Sequence, residues 1–223
     1  MKVFLIALTS LLIYATPGFA QARFESLIKK NFRVNPLAGS FSSFLKAFAN
    51  DPELLNVTSE KKTDTSVFFM KGNYNVFNPF NFKVKNVVVI FAENPKEILP
   101  AKKKMDSAST YFSYQIIAYT DDNEAYRKLI QKSYKKLTRK LKADLPKTEV
   151  TDLSGVMNVK EGKITNFSNG LSKIYAATLG WQTLSQSKQL LLTLLIRLQF
   201  VDGYLVPFGF FRNVDNEEES DFD

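Results

Sequence analysis

From Gln189 to Val201 the chain alternates in a way that leaves little choice of local structure. Leu190, Leu192, Leu194, Ile196, Leu198 and Phe200 share one parity, and the other parity mixes Gln189, Leu191, Thr193, Leu195, Arg197 and Gln199. Period-two placement gathers the apolar set on one side of a strand, whereas a helix would scatter it around the axis. Asp202-Gly203 follows, a dipeptide suited to the positive φ angles of a two-residue hairpin, and then Tyr204 to Phe210. The pattern predicts an antiparallel hairpin with one buried face.

Other segments share the strand period. Lys83 to Ala92 is a β-branched run expected as a central strand, and Thr110 to Thr120 is another, rich in Tyr, Phe and Ile. Ser66 to Lys71 and Tyr74 to Phe77 are expected as strands around a Gly72-Asn73 turn. Val150 to Val159 and Ile164 to Ser168 are expected to flank a second turn at Glu161-Gly162. Leu171 to Leu184 places Tyr175, Ala177, Leu179 and Trp181 on one face.

Two segments have the helical period instead. Phe41, Phe44, Leu45 and Phe48 fall at i, i+3, i+4 and i+7 behind a Ser40 cap. Asn50-Asp51-Pro52 ends that helix, and Glu53-Leu54-Leu55 is expected to add one further turn. The longer helix spans about Asp122 to Ala143. Tyr126, Leu129, Ile130, Leu137 and Leu141 are expected on its inner side, with Tyr134 at the margin. Asp121, Asp122 and Glu124 stand at its positive end, and Lys and Arg fill the later turns, as the macrodipole favours.

The fold class that accommodates these elements is α+β: a twisted antiparallel sheet packed by one long amphipathic helix and a shorter N-terminal helix. On layout alone, with no motif behind it, this resembles cystatin-like and NTF2-like arrangements. Glu93 to Ala108 holds Pro95, Pro100 and Lys102-Lys103-Lys104 and is expected as an exposed connection. A single domain over 21–212 fits the length, and two lobes split near 93–108 are the alternative.

The ends carry other signals. Met1-Lys2, the apolar run Val3 to Thr16, Pro17 and the small residues up to Ala20 follow the order of a cleavable secretory signal. Cleavage is expected after Ala20, with Ala22 as the alternative, which makes the protein periplasmic or secreted. The most apolar later window, Leu190 to Ile196, is seven residues long, too short to span a bilayer as a helix. Asn213 to Asp223 carries six carboxylates and little to bury, and is expected to be a disordered acidic tail.

Charge is concentrated between those ends. The formal value is +8 for the whole chain, and leaving out Lys2 and the six acids after residue 212 raises it to +13. Arg127, Lys128, Lys132, Lys135, Lys136, Arg139, Lys140 and Lys142 all lie on the long helix, mostly opposite its apolar side. Such a face either serves as a solvated surface that keeps the chain soluble or attracts polyanions, and in the second case the expected partner is an anionic lipid or glycan surface of the envelope or extracellular space. Nucleic acid is not expected, since no nucleic-acid-binding motif occurs.

The chemistry open to the chain is narrow. With no Cys and no His, it has no thiolate nucleophile, disulfide, imidazole base or common transition-metal site. No phosphate-binding glycine loop or dinucleotide fingerprint occurs, so neither cofactor nor metal is expected. Five Ser-x-x-Lys matches lack the companion elements of penicillin-binding enzymes. A non-catalytic binding protein is the first expectation. The alternative is a small carboxylate-dependent, glycosidase-like hydrolase drawing on Asp121, Asp122, Glu124, Glu161 or Asp202, which cap and turn positions otherwise explain. Twenty Phe and nine Tyr fill a core generously. A ligand pocket between helix and sheet, if lined by such rings, would use Phe80, Phe82, Tyr114, Tyr175 and Trp181.

Overall fold

The computed structural model describes residues 22–61, 68–94, 110–156, 158–168 and 175–208. The signal segment, nearly all of the Glu93–Ala108 connection and the acidic tail lie outside the described residues. The helices are α1 (22–31), α2 (Phe41–Ala49) and α3 (Glu124–Asp144). The strands are β1 (Leu54–Lys61), β2 (Phe68–Tyr74), β3 (Asn86–Asn94), β4 (Thr110–Asp121), β5 (Lys147–Asp152), β6 (Val159–Ser168), β7 (Ala177–Leu184), β8 (Gln189–Val201) and β9 (Tyr204–Pro207).

These form one antiparallel sheet in the order β1-β2-β3-β4-β8-β7-β6-β5, with β9 also on β8. The topology is two four-strand meanders stitched together. The first ends at β4, α3 carries the chain to the far edge at β5, and the second works back until β8 pairs with β4 from Thr110↔Phe200 to Asp121↔Gln189. The edge opposite β4 is shared: β7 covers β8 as far as Ile196, and β9 takes over at Leu198. Asp202 and Gly203 take φ angles of 48° and 85°, as their hairpin turn requires. β3 and β4, which flank the 93–108 connection, pair with each other along nine residues.

The apolar parity of β8 faces the helices. Leu190, Leu192, Leu194, Ile196 and Leu198 are buried beside Phe112, Tyr114, Ile116 and Ala118 of β4 and Ala177, Leu179 and Trp181 of β7. α3 lies over β6, β7 and β8 and contributes Ile130, Tyr134, Leu137 and Leu141. α1 and α2 cover the other half. Phe44 of α2 meets Phe91 at 4.9 Å and Tyr114 at 5.6 Å between ring centroids, and Phe32 meets Tyr114 at 4.5 Å. Much of the chain's aromatic excess therefore fills this interface.

Two expected turns are strand interior. Gly72 sits inside β2, paired with Val89, because the Leu54 side chain lies across it: a Cβ there would stand 2.7 Å from Leu54 Cδ1. Gly162 sits inside β6, where a Cβ would stand 2.8 Å from the Trp181 carbonyl oxygen. In both places glycine permits close approach rather than reversal. The reversal between β5 and β6 instead uses Gly155, at φ +83°, after Asp152 Oδ1 accepts from the Ser154 amide at 2.7 Å. The helical turn expected at Glu53-Leu54-Leu55 is also absent, since Leu54 opens β1 and pairs with Tyr74. On α3, Leu129, expected on the inner side, is 42% exposed, and Tyr134, expected at the margin, is buried. The sheet floor centres on Ile130, Tyr134, Leu137 and Leu141, and Leu129 falls outside that arc.

One-sided burial sets the cost of truncation. Leu194→Ala, on the helix-facing side, is expected to destabilise by about 3 kcal/mol, and Leu195→Ala, half-buried on the opposite side, by about 1 kcal/mol. Urea unfolding of the two variants checks this, and equal costs would contradict the assigned parity.

Candidate functional site

α3 starts where Asn123 caps it, its side chain accepting from the Tyr126 amide at 2.9 Å. Asp122, one residue earlier, clamps the first turn. Its two oxygens accept from Arg127 Nε at 2.6 Å and Nη2 at 2.7 Å. That bond with the guanidinium holds the Asp122 carboxyl below its ordinary value and raises Arg127. At the far end Leu145 donates to the Leu141 carbonyl, and Arg23 of α1 donates to Ala143 O at 3.2 Å. Ser133 Oγ donates to Phe80 O at 2.8 Å from the buried side. Tyr134 OH and Thr165 Oγ1 also hydrogen-bond there. The helix is thus fixed at both ends and along its inner face.

The eight cations expected on α3 divide into two groups. Arg127 is taken by Asp122, and Lys128 meets Glu124 at 2.7 Å with both side chains largely in solvent. Lys132, Lys135, Lys136, Arg139, Lys140 and Lys142 are exposed, and none has a carboxylate within ion-pair distance among the described residues. A groove of about 450 Å³ runs between Lys128, Gln131, Lys132, Lys135, Lys136 and Arg139. Like charges held on one rigid surface raise the local potential and favour anions.

The five rings singled out from the sequence lie elsewhere. Phe80, Tyr114 and Trp181 belong to the packed core, and Phe82 packs partly buried against it. Phe80 sits in an irregular segment held by Asn78, whose Oδ1 accepts from the Phe80 amide and whose Nδ2 donates to Phe82 O. Tyr175 is half-buried, and its carbonyl accepts from Arg197 Nη1 at 3.3 Å. Neither the α3 groove nor a second cavity beside α2 has any of these residues in its wall.

The carboxylates are similarly dispersed. Asp121 meets Lys85 at 3.2 Å in an exposed pair, Glu124 meets Lys128, and Asp202 occupies the β8–β9 turn. Asp202 is separated from Asp121 by the length of β8, roughly 40 Å of strand. Glu161, on β6, acts on Arg127 through its charge. A glycosidase acid needs a raised pKa, whereas Asp122 and Asp152, the two shifted carboxyls among the described residues, both move down through hydrogen bonds. Among the described residues no group of three His, Cys, Asp or Glu could hold a metal ion.

Two polar features were not anticipated from the sequence. Arg33 chelates the buried Asp51 carboxylate through Nε at 3.1 and 3.0 Å and reaches Glu53 at 2.8 Å. This ties the α1–α2 linker to the start of β1 and lines the second cavity, about 480 Å³, with Lys46 and Asn50. The Tyr74 and Tyr114 hydroxyls are buried near one another with no well-formed hydrogen bond among the described residues, and burial raises both phenols. The other feature is Arg197 on the opposite face of the sheet. It donates to Thr178 Oγ1 at 2.9 Å and has no carboxylate partner among the described residues, and burial lowers its pKa. A charge in mid-strand was its trace in the sequence.

Comparison with known proteins finds no matching family model, no curated relative and no similar solved structure. Among the described residues no helix is long and apolar enough to cross a membrane. What fold and site define is a class: an α+β protein whose nine-stranded antiparallel sheet carries helices on one side, the longest presenting an unpaired basic surface.

The Asp122–Arg127 clamp gives a pH dependence of definite sign. Because the folded pKa of Asp122 lies below its unfolded value, the pair contributes fully above about pH 4, and the contribution is lost as pH falls through the depressed pKa. The stability difference between wild type and Asp122→Asn, from urea unfolding, is therefore expected to narrow between about pH 6 and about pH 2. A difference independent of pH would contradict the clamp.

Proposed function

We propose that this is an exported, non-catalytic binding protein that docks on an anionic component of the envelope or extracellular space through the outward face of α3. One observation carries the reading: six exposed cations, without carboxylate partners among the described residues, stand on a helix fixed along its inner side. Surface lysines that serve only solubility are usually interspersed with acids, and here no acid stands on α3 between Glu124 and Asp144. Export is supported by the order of Met1-Lys2, the apolar run and the small residues ending at Ala20. The placement of α3 across an antiparallel sheet supports a cystatin-like or NTF2-like layout extended by further strands.

Co-sedimentation with vesicles and retention on acidic polysaccharide resin, each against its neutral counterpart, test the docking. Binding is expected at low ionic strength and is expected to fade as salt shortens the Debye length toward about 8 Å and below. The triple variant Lys132→Glu, Lys135→Glu, Arg139→Glu is expected to bind at least about tenfold more weakly. Retained affinity in that variant would refute the role of α3. The mass of the protein recovered from its native compartment tests export: it is expected to begin at Gln21, and a chain that kept Met1 would overturn that part.

A further inference from the structure

The outward surface of α3 is narrower than its roll of cations suggests. At about 100° per residue, Lys128, Lys132, Lys135, Arg139 and Lys142 follow at i, i+4, i+7, i+11 and i+14 and fall within an arc of about 80°. That arc faces away from Ile130, Tyr134, Leu137 and Leu141, which are buried against the sheet. Lys140 lies well off it, on the same side of the helix as Leu129 but about 16 Å further along. The five cations therefore make one straight stripe about 21 Å long; Lys128 at its start is shared with Glu124, and the other four have no carboxylate partner among the described residues. The groove of about 450 Å³ runs along it.

We infer that the partner of this stripe is an acidic glycan chain lying parallel to the α3 axis, an inference that rests on the docking role proposed above for the same face. A line of charges at one-turn spacing complements a linear polymer with regularly repeated carboxylates or sulfates. The planar guanidinium of Arg139 suits bidentate contact with either group. Gln131, half-buried in the groove between Lys128 and Lys135, has no side-chain hydrogen bond among the described residues, and its amide can donate to and accept from sugar hydroxyls. A bilayer fits less well. The apolar side of α3 is consumed by the core, and its exposed side offers Leu129 alone among large apolar residues, with no aromatic ring to sit at the lipid interface.

The test measures binding of the full processed chain to oligouronates, from dimer to decamer, by fluorescence anisotropy at low ionic strength, with phosphatidylglycerol vesicles in parallel. Affinity is expected to climb with oligomer length until the chain covers about 21 Å and then to level off. Lys132→Gln and Lys135→Gln are each expected to weaken binding about fivefold, while Lys140→Gln changes it less than about twofold. Each stripe substitution is also expected to flatten the log–log salt dependence by about 0.7. If vesicles bind more tightly than the decamer, or Lys140→Gln costs as much as Lys135→Gln, the glycan inference fails while docking by α3 stands. If neither probe binds, both fall.

Discussion

The pairing of β4 with β8 is the contact on which the rest of the molecule depends. It joins two meanders that are otherwise separate in sequence, and it places the two longest strands at the centre of the sheet. Its register is set by burial. A slip of one residue would exchange Leu194 for Leu195 on the core side and carry Arg197 inward. No carboxylate stands ready for Arg197 among the described residues, so burying it there would cost several kcal/mol, by any general measure of an unpaired interior charge. On the opposite face the same guanidinium is satisfied by Thr178 and the Tyr175 carbonyl. One residue thus favours the correct register by being costly in the wrong one.

The position of α3 follows from that sheet. β8 and β7 present a continuous apolar floor, and the residues that fit it are Ile130, Tyr134, Leu137 and Leu141. Fixing that side inward turns the lysines and Arg139 outward, whatever partner they meet. The polar contacts at the ends, Asn123 on the Tyr126 amide, Asp122 on Arg127 and Arg23 on Ala143, hold the rotation. Function and stability are therefore linked through a single helix: its apolar side belongs to the core, and its other side to whatever anion the protein meets.

How much of this could be read from residues alone depended on local regularity. β8 was legible because its period-two burial runs from Leu190 to Leu198 with Leu191 as the one exception, and α2 because Ser40 and Asn50 bracket a clear helical period. Glycine misled twice, since Gly72 and Gly162 have the composition of turns but serve close contacts made by Leu54 and Trp181 from other strands. Such contacts are long-range and leave no local trace. α1, a third helix not expected from the sequence, did leave one, because Phe24, Leu27, Ile28 and Phe32 have helical spacing and are all buried. β1 left little, being a polar edge strand with a bulge at Asn56. The basic face was legible because charge on a helix needs only periodicity. The partition of its cations into paired and unpaired needed coordinates, because Asp122 reaches Arg127 by a cap geometry that spacing does not reveal. Nor could spacing place Phe80, whose burial depends on Asn78 and Ser133.

The central claim is that α3 and the β4–β8 pair belong to one cooperative core, so that the basic face is presented rigidly. Native-state hydrogen exchange measures this most directly. The amides of Ile130 to Leu141 are expected to exchange only with those of the centre of β4 and β8, at the free energy of global unfolding. Exchange of α3 by orders of magnitude faster, while β4 and β8 stay protected, would contradict the account.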